Sequence, residues 1–296
     1  MTTHSAPAAS AAPAGNAPAR PRQPDSVRAT PGSLALWLAI AFLALLAVAP
    51  LAWMISTAFK RAQDVYTLGL IPGHPTGGNF VAVFTQFPFL RYIGNSAIVA
   101  VSVTVIALFF HSMAGYALAR LRFPGRELIF TTVFATLLVS VPVILVPLFI
   151  VTKQLHLLNS YWGLIVPSIF NAFGIFFLRQ FYLGIPRELE EAAFADGCGY
   201  WRVYWHVVLP LSRPLLGALA VFFFLANWNA FIWPLTITES PGLWTIQVGI
   251  ASFQSQHSVA WNYAMAASTV AAVPTLALFA IFQRQLTSTI KISGVR

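Results

Sequence analysis

Charge is scarce in this chain of 296 residues. Asp, Glu, Lys and Arg make up 8% of it, against about 25% in typical soluble proteins. Apolar residues make up 58% and the mean hydropathy is +0.74. Eight acidic and seventeen basic residues cannot clothe a soluble globule of this length, which excludes an ordinary soluble enzyme. Cysteine is nearly absent: Cys198 alone can form neither an intrachain disulfide nor a multi-cysteine metal site. The only lysines are Lys60, Lys153 and Lys291, and none lies in a GxxxxGK phosphate loop. HExxH and GxSxG are missing as well. No catalytic residue and no metal site is expected.

The few charges leave long uncharged windows. A helix needs about 20 mainly apolar residues to cross the hydrocarbon core. Six stretches meet that test, roughly 34–56, 93–119, 128–151, 161–181, 214–236 and 262–283. Runs such as Leu34–Leu46 do not alternate as barrel strands would. The expected class is an all-α polytopic membrane protein with six transmembrane helices over residues 34–296. The window 65–90 is dense in Pro and Gly and reads as a loop. The first half of window 240–283 holds Gln247, Gln254, Gln256 and His257, and reads as a loop with a short surface helix. Residues 1–33 hold nine Ala and six Pro without an apolar face and read as a disordered tail. A cleaved signal peptide fits less well, because the apolar stretch is too long and Pro50 follows the candidate cleavage site.

Placed on this topology, thirteen cations fall on one side: those of the tail, of the 120–126 and 179–213 connections and of the C-terminus. Lys60, Arg61, Arg91 and Lys153 fall on the other. The bias predicts both termini in the cytoplasm. It also accounts for the net charge of +9 without a nucleic-acid partner.

No Asp, Glu, Lys or Arg lies well inside a span, and only His111 is ionisable there. A carrier driven by an ion gradient generally keeps such a group at membrane depth. A lone His is more often a packing residue, but a secondary carrier using His111 stays open at this point. So does a non-transporting membrane scaffold. For solute contact, Asn171 and Phe173 in the fourth span, and Asn227, Trp228 and Asn229 in the fifth, offer hydrogen-bonding groups and aromatic faces. Interhelical hydrogen bonding is the plainer reading of each.

The connection at about 182–213 carries most of the information. Pro186 suits a first helical position, and Glu188, Glu190 and Glu191 complement the N-terminal end of the dipole. Gly197 is a natural left-handed stop. A second helix over Tyr200–Val208 is expected to end at Pro210. Ala192 and Ala193 are small and Phe194 is large, which suits a helix seated against a partner.

Glu191-Ala192-Ala193, three residues, Gly197, nine residues, then Val207-x-Leu209-Pro210 resembles the EAA loop of ABC importer permeases. The family pattern has isoleucine where Val207 stands. Ala114–Gly125, Trp228–Pro234 and Phe282-Gln283-Arg284 resemble segments of carbohydrate-uptake permeases of the maltose-transporter type. The resemblance implies a type I ABC importer permease fold in a bacterial inner membrane. It implies a coupling loop that includes Glu191, Ala192, Ala193, Phe194, Asp196, Gly197, Leu209 and Pro210. The implied partners are ATP-binding cassette subunits, a second permease that makes a heterodimer, and an extracytoplasmic solute-binding protein. The chain itself would bind no cofactor, and ATP and Mg would be used by the partner ATPase. The implied cargo is a sugar; another small neutral solute is the alternative.

Overall fold

The computed structural model describes residues 31–255 and 260–293, so most of the expected tail (residues 1–30) lies outside the described residues. Among the described residues the regular structure is helical, with no strands. In chain order the helices are α1 (Pro31–Ala58), α2 (Gly78–Thr85), α3 (Phe89–Arg120), α4 (Arg126–Ala135) and α5 (Val141–Gln154). Then come α6 (Tyr161–Ile169), α7 (Ala172–Leu183), α8 (Arg187–Ala195), α9 (Tyr200–Val203) and α10 (Leu209–Leu211). The last four are α11 (Arg213–Trp228), α12 (Ile232–Ile237), α13 (Ile246–Ser255) and α14 (Trp261–Ser293).

Three stretches are long and apolar enough to cross a bilayer unbroken: Leu34–Ala58, Phe89–Arg120 and Trp261–Phe282. Three more spans arise if bent pairs are each taken as one, giving up to six. The α4–α5 pair is bent by 108° and the α6–α7 pair by 40°. The third pair joins Tyr200–Leu211 to α11 at 74°. The expected third span is therefore two helices at a sharp angle. Proline marks these breaks: Pro142 stands in the first turn of α5, and Pro167 lies shortly before the α6–α7 break. Residues 34–49 are exposed throughout and almost wholly apolar, a surface suited to hydrocarbon.

Within residues 50–293, α3 is the hub. It packs along α7, α11 and α6. The approach to α7 is close because Gly115 has no side chain; a Cβ there would lie 2.9 Å from Leu178 Cβ and 3.1 Å from the Arg179 nitrogen. One apolar cluster joins α3, α13 and α14 around Tyr92, Ile246 and Phe253. A second joins α3, α7 and α11 to the α7–α11 connection around Tyr116, Tyr182 and Tyr204.

Two loop expectations need correction. The Pro/Gly-rich stretch includes helix α2, whose Asn79, Ala82 and Val83 are buried. Asn79 donates to the Ala58 and Lys60 carbonyls and accepts from Asn262. Helix α13 is not a surface helix either. Ile246, Val248 and Phe253 are buried, and Gly249 lets the Tyr92 ring lie against the helix backbone. The glutamines there set the polarity of the window, but these apolar residues set the packing.

Candidate functional site

The 182–213 connection folds as a short amphipathic helix, a turn and a second helix. Pro186 precedes α8 as its cap, and Glu188 and Glu190 lie in the first turn. At the far end Gly197 has φ +78°. Its N–H donates to Phe194 O at 3.0 Å, and the Cys198 N–H donates to Ala193 O at 3.0 Å. These two bonds make a Schellman stop, which satisfies carbonyls that the helix leaves open.

The neighbouring glutamates divide. Glu191, with Ala192 and Asp196, is exposed, while Ala193 and Phe194 are half-buried. Glu190 turns inward, and its carboxylate lies 2.9 Å from Arg120 Nε at the end of α3. The two atoms face each other out of line for a hydrogen bond. Arg120 also donates to the Ile185 carbonyl through Nη2. Burial pushes the Glu190 carboxyl above its ordinary range, against the opposing pull of Arg120 and Arg187.

The second helix departs from expectation. It passes through a π-turn at Tyr204–Val208 and continues to Leu211, so Pro210 lies inside it and does not end it. Proline has no N–H to give and crowds the carbonyl four residues back. The wider turn, closed by the Leu209 N–H on Tyr204 O, directly precedes it. Leu209 and Pro210 are half-buried. Tyr204 is buried, and its hydroxyl shares a 2.7 Å hydrogen bond with Ser112 of α3. Both arms of the connection are thus tied to α3.

Arg179, read from the sequence as a loop cation, lies inside α7 and is largely buried. It pairs with Glu127 at 3.2 Å, donates to Leu118 O and stacks on the Phe130 ring at 3.8 Å.

The candidate solute residues do not form one cluster. Asn171 caps α7, accepting from the Phe173 N–H. Its own N–H donates to His111 Nε2 at 3.2 Å, so the imidazole satisfies a backbone group freed by the α6–α7 break. Phe173 packs on Phe177 and Phe222, with centroids 4.4 Å and 4.7 Å away. Asn227 donates back to Phe223 O in its own helix. Trp228 is buried, stacked on Phe224, with its indole N–H on Ala271 O. Asn229 is exposed and accepts from Gln247. It lines a cavity of about 220 Å³ with Gln247, Ser268 and Thr275 among apolar neighbours. Sequence reasoning did not single out Ser268 or Thr275 and took Gln247 as a loop marker. Scattered polar residues in apolar helices carry no spacing signal.

A polytopic helical protein that presents a short amphipathic helix from one connection, anchored to a central helix, has the architecture expected of a transport permease. The chain belongs to the family of binding-protein-dependent transport system inner membrane components, whose model matches residues 111–292. It is an ABC importer permease. It is 34% identical over 266 residues to the arabinooligosaccharides transport system permease protein AraQ of Halalkalibacterium halodurans, covering 88% of this chain and 95% of that one. It is 38% identical over 199 residues to the sn-glycerol-3-phosphate transport system permease protein UgpE of Yersinia enterocolitica, covering 67% and 71%. A solved bacterial ABC transporter that imports the acidic polysaccharide alginate contains a chain of the same fold. The TM-score is 0.76, with 20% identity over 88% of this chain and 99% of that one.

Proposed function

We propose that this permease works with a second, different permease chain, two ATP-binding cassette subunits and an extracytoplasmic binding protein to take up a sugar. Both termini and the 182–213 connection face the cytoplasm in this reading. Helix α8 seats in a cleft of the ATPase, with Glu191, Ala192 and Phe194 in contact and Gly197 making the turn. ATP is hydrolysed with Mg in the partner, and the chain supplies neither a catalytic residue nor a cofactor site. The observation that carries the reading is that the EAA-type spacing falls on a Schellman-stopped helix tied to α3 through Arg120–Glu190. Movement of α8 by an ATPase would then reach the span around which α6, α7 and α11 pack.

Sugar as the cargo is supported by the names of the arabinooligosaccharide and alginate systems. The sn-glycerol-3-phosphate relative supports a phosphorylated polyol as the second reading of cargo. On the solute path, the hollow at Asn229 and Gln247 offers amide groups to hydroxyls, and Phe173 at the α6–α7 break offers a ring edge.

Affinity purification of the tagged chain in mild detergent tests the assembly. Recovery of an ATPase with a second permease is the expected result. Recovery of a stable chain alone, with uptake driven by a proton gradient and lost on His111→Leu, overturns it.

A further inference from the structure

Beside the anchored helix lies a basic cleft whose α3–α4 side, around Arg122, Phe123 and Arg126, the coupling reading does not use. Two adjoining hollows of about 520 Å³ and 530 Å³ share Arg122, Phe123, Arg126 and Arg187. The first sets three guanidinium groups against one carboxylate, Glu127; the second sets four against two, Glu190 and Glu191. Most of these carboxylates are already engaged. Glu127 holds Arg126 at 2.8 Å and Arg179 at 3.2 Å, and Glu190 holds Arg120. Glu191 is solvent-facing. Arg122 and Arg187 are exposed and make no ion pair among the described residues.

Apart from Tyr200, the rest of the lining is apolar. Phe123 is exposed at the mouth, and Leu128, 72% exposed, begins the uncharged run of α4. Two exposed guanidinium groups outside any salt bridge, beside an apolar ramp, suit a ligand with an anionic head and a hydrocarbon body. Guanidinium groups bind phosphate oxygens in paired hydrogen bonds. Basic pockets at the ends of membrane helices take up anionic headgroups for this reason. We propose that the cleft between the α3–α4 turn and the start of α8 binds the phosphate headgroup of an anionic phospholipid. Its acyl chains would lie along Leu128 and Ile129. The inference rests on the inner-membrane placement of the family and on no particular cargo. A lipid held here would touch both the end of α3 and the root of α8.

The test is native mass spectrometry of the full chain, purified in mild detergent with whatever ATPase accompanies it. The probes are dioctanoyl phosphatidylglycerol, dioctanoyl phosphatidylcholine and inorganic phosphate. Phosphatidylglycerol should be retained and phosphatidylcholine should not. The double variant Arg122→Gln/Arg187→Gln should weaken retention about twenty-fivefold, from about fivefold for each arginine near an anionic headgroup. Each single variant should lose about fivefold, and Arg202→Gln should lose nothing. Equal retention of phosphatidylglycerol by the double variant overturns the proposal. So does equal binding of phosphatidylcholine, or displacement of the lipid by equimolar inorganic phosphate. If the double variant keeps the lipid but sheds the ATPase, the cleft is a protein-docking face and the lipid site is wrong. Failure to recover any ATPase from wild type, with lipid retention intact, strikes the proposed assembly and leaves the lipid site standing.

Discussion

Arg120 closes α3 and Glu190 lies one turn into α8, and their side chains meet 2.9 Å apart with less than a tenth of either exposed. Taking one partner from such a pair strands a buried charge, which costs about 3–5 kcal/mol, whereas replacing both by apolar residues is often neutral. Glu190→Ala and Arg120→Ala should each lower the thermal midpoint in detergent substantially. Arg120→Met/Glu190→Leu should recover most of the loss. A double variant as unstable as the singles would show that the pair is not the tie between α3 and α8.

The same carboxyl should give a pH signature. Burial raises Glu190 more than Arg120 and Arg187 lower it. A carboxyl with a folded value above its unfolded one contributes stability that is whole below the unfolded value. That contribution is lost as pH rises through the folded value. Relative to Glu190→Gln, which cannot titrate, the wild type should therefore lose thermal stability as pH climbs from about 4 towards neutrality. A difference between the two proteins that stays flat across that range would contradict the sign.

Gly197 supplies a third expectation. A Cβ there would meet nothing within 4 Å, so the constraint is the φ of +78° alone. Valine in a left-handed conformation costs about 1–2 kcal/mol, and asparagine is the best-tolerated alternative to glycine at such a stop. Gly197→Val should remain in the membrane and lose uptake, while Gly197→Asn should keep most of it. Equal transport by the two variants, measured with radiolabelled solute in cells, would remove the turn from the mechanism.

Gly115 fails for the opposite reason. Its φ is ordinary, but an added Cβ would strike Leu178 and the backbone nitrogen of Arg179. Backbone cannot rotate away as a side-chain tip can. Gly115→Ala should therefore force α3 and α7 apart, at about 1–3 kcal/mol for overpacking. The readout is a lower thermal midpoint, and an unchanged midpoint would show that the helices do not pack this closely.

His111→Leu should leave the part-buried Asn171 N–H without its partner, a loss towards the lower end of about 1–3 kcal/mol. Any uptake that remains should be as insensitive to the proton gradient as the wild type. A variant that swaps ATP dependence for gradient dependence would make the imidazole a transport group.

The apolar windows were legible because a bilayer imposes a length, and α1, α3 and α14 follow it with shifts at their ends. The α4–α5 angle was not legible. Uncharged residues on either side of Val139 and Ser140 look continuous whether the chain runs straight or turns by 108°. In the 182–213 connection the glycine stop and the start at Pro186 could be read locally, because dihedral preference is a property of the residue. The Arg120–Glu190 tie, the Ser112–Tyr204 bond and the His111–Asn171 bond could not. Each joins groups 60 or more positions apart, and a single sequence holds no record of such pairing.

Consecutive residues on a helix point about 100° apart, and α8 uses that angle to send Glu190 inward and Glu191 outward. Two chemically identical side chains are thus told apart only by counting. What this segment must preserve is phase: deleting one residue between Pro186 and Glu190 would carry Glu191 into the anchor position, whereas inserting one would turn Glu190 outward and leave the anchor without its carboxylate. Alanine substitutions along α8 would miss that dependence, whereas single-residue indels would expose it.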